Sequence, residues 1–169
     1  MKIRTRFRCG FSGQSMEQKT KINAEEGKQE LTITREFDLP VELLFRAYSE
    51  PGLVEQWMGT KVLKLENKKH GSYHFETTDP KGNKFGMNGS IHEFIPGKKI
   101  TRTFEMENAP FDAQLEFLEF EKINDDTSKL IMHVVYKSVM IRDQILKLPF
   151  AQGINMAHNR IQEIISKLK

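Results

Sequence analysis

Cysteine is almost missing from this chain: Cys9 is the only one in 169 residues. A single thiol excludes an internal disulfide and any site built on several cysteines, and it suits a reducing cytoplasm. An excess of one charge sign is missing too. With 26 basic and 23 acidic residues the formal net charge is +3, which gives no reason to expect nucleic acid as a partner. No apolar run reaches the ~18 residues of a membrane-crossing helix. Nothing repeats at a fixed period, and no nucleophile-elbow, P-loop or dinucleotide fingerprint is found. The histidines are scattered. His70 and His74 are the only near pair, and four residues along a strand span roughly 13 Å. A metal needs its ligands within about 2 Å of itself, so solvent-facing histidines are the better reading. His92, His133 and His158 read as isolated residues.

The chain opens on MKIRTRFRCGFSGQS, which is basic, acid-free and carries Cys9. Lys2, Arg4, Arg6 and Arg8 interrupt every apolar stretch, which argues against an export signal. Residues 1–15 are expected to be a disordered tail, with an organelle transit peptide or a start at Met16 as alternatives. Residues 16–169 are expected to form one domain, a size at which a chain removes roughly 68–70% of its unfolded surface from water.

Lys19 to Ile22 and Leu31 to Phe37 read as strands around a polar turn. Pro40 then opens a short helix carrying Val41, Leu44, Phe45 and Tyr48 at helical spacing. Ser49 is expected to cap a second one that holds Trp57 and ends near Gly59. Six β segments follow between Thr60 and Tyr136, separated by Gly, Pro, Asn and Asp turns short enough to make neighbours antiparallel. Alternation puts Tyr73 and Phe75 on an inward face, then Phe85, Met87, Gly89 and Ile91, then Ile100, Arg102, Phe104 and Met106, then Leu130, Met132, Val134 and Tyr136. The phase slips at Ile91–Phe94 and again between Leu115–Phe117 and Leu118–Phe120, and a bulge is expected at each. Thr101 is assigned outward, and Glu116, Glu119 and Glu121 a solvated edge. Ser138 caps a short helix over Val139 to Lys147, and Pro149 separates it from a long last helix. That helix is expected to bury Phe150, Gly153, Ala157, Ile161, Ile164 and Leu168 and to turn Asn155, among others, to solvent. Gly153 reads either as a close-approach point or as a tolerated glycine.

Several stretches are similar to one known family. They are the strand-to-helix run Arg35-Glu36-Phe37-Asp38-Leu39-Pro40-Val41-Glu42-Leu43-Leu44-Phe45-Arg46-Ala47, the segment Ser49 to Gly59 around Trp57, Gly71-Ser72-Tyr73-His74-Phe75, and Tyr136-Lys137-Ser138-Val139-Met140-Ile141-Arg142-Asp143. From about Lys19 to Leu168 the chain resembles the homologues of the activator of the heat-shock-protein-90 ATPase, within the START-like (SRPBCC) helix-grip superfamily. It departs from them with Met58 in place of a second Trp, with Thr60 for Pro and His70 for Gly, and with Arg102 inside an apolar face. The resemblance implies an α+β, helix-grip fold: a curved antiparallel sheet of about seven strands, two short helices after the first strand, and a long C-terminal helix across the concave face.

An amphipathic helix laid over a curved sheet splays away toward one end and leaves a cavity. The ligand-contacting residues expected there are Trp57, Tyr73, Phe75, Met87, Ile91, Arg102, Phe104, Met132, Val134, Tyr136, Phe150, Ile154 and Ala157. Arg102 reads in two ways, as a bidentate anchor for a ligand carboxylate or phosphate, or as a cation that reaches the rim or pairs with an acid. The methionines read as adaptable lining or as core filling. The function expected is binding of a small apolar or amphipathic molecule, with no cofactor, metal or catalytic residue assigned. The alternatives are a chaperone-associated interaction module and a cyclase-type enzyme. A monomer or homodimer in the cytoplasm, with no membrane span, completes the expectation.

Overall fold

A computed structural model describes residues 18–169. The expected tail, with Cys9 and Met16, lies outside the described residues. In chain order the elements are β1 (Lys21–Asn23), β2 (Glu30–Phe37), α1 (Val41–Ser49), α2 (Pro51–Met58), β3 (Lys61–Leu65), β4 (Ser72–Thr78), β5 (Lys84–Ile95), β6 (Lys99–Met106), β7 (Gln114–Lys122), β8 (Ser128–Val135), α3 (Val139–Lys147) and α4 (Phe150–Ser166). The strands form one curved, unclosed antiparallel sheet in the order β1-β2-β8-β7-β6-β5-β4-β3. This is the helix-grip arrangement, with eight strands where the resemblance implied seven. The eight are the segments the residue pattern predicts, with the strand expected from Lys19 to Ile22 reduced to the three-residue edge strand β1, so the two short helices follow the second strand.

Local chemistry accounts for the helix boundaries. Pro51 opens α2, and Gly59 ends it in the left-handed conformation at φ 64°. The N-cap of α2 is Glu50 without a side-chain bond, not Ser49. Ser49 is the last residue of α1, and its hydroxyl donates back to the Phe45 carbonyl. Ser138 caps α3 as expected, accepting from the Ile141 amide at 3.2 Å. Arg142, from the Tyr136–Asp143 motif, donates to the Glu25 carbonyl at 2.6 Å and so fastens α3 to the β1–β2 turn.

The register shifts at Ile91–Glu93 in β5, where a bulge was expected, and also in β3. The second expected bulge is not there: β7 pairs without a shift along both neighbours. Glu116, Leu118 and Phe120 form its inward face instead, with Leu115 and Phe117 on the other. The apparent change of phase came from an acid standing at an inward position. Glu116 is therefore buried and not part of a solvated edge.

The core has three parts. In one, α1, α2 and the C-terminal half of α4 close on Leu118, Phe120 and Leu130, with Ile161 and Ile165 fully buried. In another, α3 closes on Leu31, Ile33, Val134 and Tyr136. The third is small: Val54 of α2 sits on Tyr73, Phe75 and Ile91. Thr101, assigned outward, is also buried, and its hydroxyl has no partner.

Along α4, Asn155 is buried and not solvent-facing, whereas Gly153 and Leu168 are exposed. A Cβ at Gly153 would meet nothing, so it is a tolerated glycine. The Asn155 side-chain oxygen accepts from the Lys19 and Thr20 amides, each at 3.1 Å, and from Arg35 at 3.3 Å. His158, one turn on, bonds the Thr20 hydroxyl at 2.9 Å. These polar contacts tie the start of the described chain to its last helix. An amphipathic pattern hides them, because it sends polar residues outward.

Candidate functional site

The N-terminal half of α4 stands off the sheet. Phe150, Ile154 and Ala157 are only half-buried there, against the complete burial of Ile161 and Ile165 further along. A cavity of about 370 Å³ lies beneath. Its size falls in the ordinary range for small-molecule sites. Phe150, Ile154, Ala157 and His158 of α4 lie above it. Met87, Arg102, Phe104, Met132 and Val134 lie below it on the sheet, and Trp57 closes one side beside Tyr48. Exposed Met106, Leu148 and Asp112, together with Arg160, form the rim.

Ten of the expected residues lie around this cavity: Trp57, Met87, Arg102, Phe104, Met132, Val134, Tyr136, Phe150, Ile154 and Ala157. Tyr73, Phe75 and Ile91 do not. They share the inward face, but α2 covers that part of the sheet, and they pack under Val54. Tyr73 is spent on structure, with its hydroxyl donating to the Thr103 carbonyl at 2.5 Å. A Cβ at Gly89 would run into both that carbonyl and the Tyr73 ring. Glycine is needed there for the ring to lie across β5.

Tyr48, Gln114, Glu116 and His158 also line the cavity and were not expected. Tyr48 sat in the helical pattern as core, and the others read as surface or isolated polar residues. Arg102 and Glu116 face each other in register across β6 and β7. Arg102 Nε donates to Glu116 Oε1 at 3.0 Å, and the two side chains are 14% and 4% exposed. Gln114 donates to the other Glu116 oxygen at 2.8 Å. The guanidinium lies 5.1 Å from the centre of the Tyr73 ring. Of the two readings of Arg102, pairing with an acid is the one observed.

Burial dominates the electrostatics. It pushes the phenols of Tyr48, Tyr73 and Tyr136 above their ordinary range. It pulls His158 down to about 3, helped by the nearby positive charge of Arg35. Each of these groups is driven away from neutral pH, the opposite of what general acid–base work requires. The Trp57 ring nitrogen is already used, donating to the Ala47 carbonyl at 2.7 Å.

A second groove of about 450 Å³ runs between β1, β2 and α4, lined by Lys19, Lys21, Arg35, Lys129, Glu36 and Asp38. Mixed charges line it without an apolar wall, so it would not shield a ligand from water. His74 pairs with Glu107 at 3.0 Å, and the His70 and His92 rings meet edge to face at 6.1 Å. Among the described residues no group of three or more His, Cys, Asp or Glu is placed to hold a metal. No helix there is long and apolar enough to cross a membrane.

With this geometry in place, the family model for "Activator of Hsp90 ATPase homolog 1-like protein" matches residues 38–166. The chain belongs to the Activator of Hsp90 ATPase homolog 1-like family. Solved structures agree on the fold. A crystal structure of a Rhodobacter sphaeroides protein is similar at 20% identity and a TM-score of 0.77, covering 86% of this chain and 98% of its own. One from Mycobacterium smegmatis gives 20% and 0.76, with 86% and 95% covered. A solution structure from Arthrobacter aurescens gives 14% and 0.78, with 87% and 91% covered. No curated protein matches. The family match covers α1 to α4, and hence nearly all of the cavity wall except Ile33 of β2.

Proposed function

We propose that this member of the Activator of Hsp90 ATPase homolog 1-like family binds a small apolar or amphipathic molecule between its sheet and α4. The observation that carries the reading is the cavity of about 370 Å³, apolar on most sides, with one ion-paired polar spot in its floor. Ten residues are proposed to contact the ligand: Trp57, Met87, Arg102, Phe104, Met132, Val134, Tyr136, Phe150, Ile154 and Ala157. Tyr73, Phe75 and Ile91 then act indirectly, as the packed bed beneath the floor. The displaced titrations of His158 and the tyrosines favour binding over cyclase-type catalysis.

A thermal-shift screen against lipid-like and aromatic compounds tests this. A ligand at a hundred times its Kd adds about 2.7 kcal/mol to the folded state, a shift of several degrees. An Ala157→Trp variant, which fills the cavity from above, should fold and lose the shift. A flat response across the library, or an unchanged shift in the plugged variant, would overturn the reading.

A further inference from the structure

The charge in the cavity floor cancels, because Arg102 is answered by Glu116 at 3.0 Å. On the exposed rim Asp112 pairs with Lys137 at 3.2 Å, and Arg160 faces water. His158, bonded to Thr20, is uncharged near neutral pH. A carboxylate or phosphate brought inside would meet a cation already neutralised and a buried acid that repels it. Burying a charge without a partner is heavily unfavourable.

Hydrogen bonding does not cancel in the same way. Of the five N–H donors of a guanidinium, Arg102 uses its Nε on Glu116. Its Nη groups have no protein acceptor among the described residues. The same holds for the hydroxyls of Tyr48 and Tyr136, which are also on the wall. Glu116, by contrast, already accepts on both oxygens. The floor is therefore neutral in charge but has donors to spare.

We infer that the occupant is an uncharged molecule with a hydrogen-bond-accepting oxygen, such as a ketone or an ester, set against Arg102 with an apolar remainder along Met87, Phe104, Met132 and Ile154. The inference rests on the binding function proposed above and adds the ligand class. It excludes fatty acids and phosphorylated compounds, the ligands an unpaired Arg102 would have selected. The cavity volume of about 370 Å³ lies in the ordinary range for small-molecule sites, so the ligand is a small molecule.

The test is a matched series on the full chain at neutral pH: methyl nonyl ketone, decanol, decanoate and decane, followed by calorimetry or native mass spectrometry. The ketone should bind at least about tenfold tighter than decanoate, a difference of about 1.4 kcal/mol, and clearly tighter than decane. Decanoate binding as tightly as the ketone would overturn the inference while leaving the cavity occupied. Ketone and decane binding equally would overturn the acceptor role. No binding by any of the four would overturn the binding function itself. In Glu116→Gln, Arg102 loses its counter-charge, and decanoate should gain on the ketone by about tenfold. Replacing both partners, Arg102→Met with Glu116→Leu, should abolish the preference for ketone over decane without admitting decanoate. An unchanged ketone-to-decanoate ratio in Glu116→Gln, or an unchanged ketone-to-decane ratio in the double variant, would refute the assignment.

Discussion

Acidification should destabilise this protein through His158 before most of its carboxylates titrate. The imidazole is 4% exposed, bonded to Thr20, edge-on to Phe37 at 5.6 Å and beside Arg35. Its pKa falls from 6.5 to about 3 on folding, mainly through burial. Between those values the unfolded chain binds a proton that the folded chain refuses. The stability His158 confers is therefore complete above pH 6.5 and is lost as pH falls toward 3. The slope from one such group is roughly 1 kcal/mol per pH unit. Urea unfolding followed by circular dichroism at pH 6.5 and 5.0 should thus show a loss of about 1.5 kcal/mol from this residue. Few carboxylates change charge in that window, because ordinary Asp and Glu titrate near 4. His158→Gln keeps a polar group near Thr20 but cannot take the proton. It should be less stable at neutral pH and flatter between the two conditions. An identical slope in the variant and its parent would refute the reasoning, whatever the variant's absolute stability.

Three further outcomes follow from the packing. Glu116→Leu alone should cost about 3–5 kcal/mol by leaving Arg102 buried without its partner, whereas the double replacement with Arg102→Met should come near parity; a chemical-denaturation double-mutant cycle measures the coupling. Gly89→Ala should cost about 1–3 kcal/mol, because the new methyl group meets the Tyr73 ring and the Thr103 carbonyl; the same assay reads it, and a neutral result would show that the ring shifts freely. Asn155→Ala removes the acceptor for the Lys19 and Thr20 amides and for Arg35, at about 1–3 kcal/mol. Hydrogen exchange should then speed up at those two amides and at β1 while the centre of the sheet is unaffected, and equal protection in both proteins would contradict it.

Most of the architecture was legible because it rests on period-two alternation and on turn residues. The boundaries of β6 and β7, the bulge after Ile91, the Ser138 cap and the break at Pro149 all follow from local chemistry. What escaped were the polar residues that face inward. Glu116 made β7 look bulged, since alternation treats any acid as outward. Asn155 and His158 were hidden in the same way, because their partners Thr20 and Arg35 lie more than a hundred residues away. The cavity wall was legible as a face but not in its extent. Nothing local tells Tyr73 and Phe75 that α2 will sit on them while Met87 and Phe104 are left uncovered.

The fastening of α4 to Lys19, Thr20 and Arg35 also makes its two flanks unlike each other. On that flank, lifting the helix means breaking several buried hydrogen bonds at once. On the opposite flank, around Met106 and Leu148, the contacts are apolar and carry no such interlock. The helix is thus pinned by buried polar contacts at Asn155 and left half-buried over the cavity at Phe150, Ile154 and Ala157.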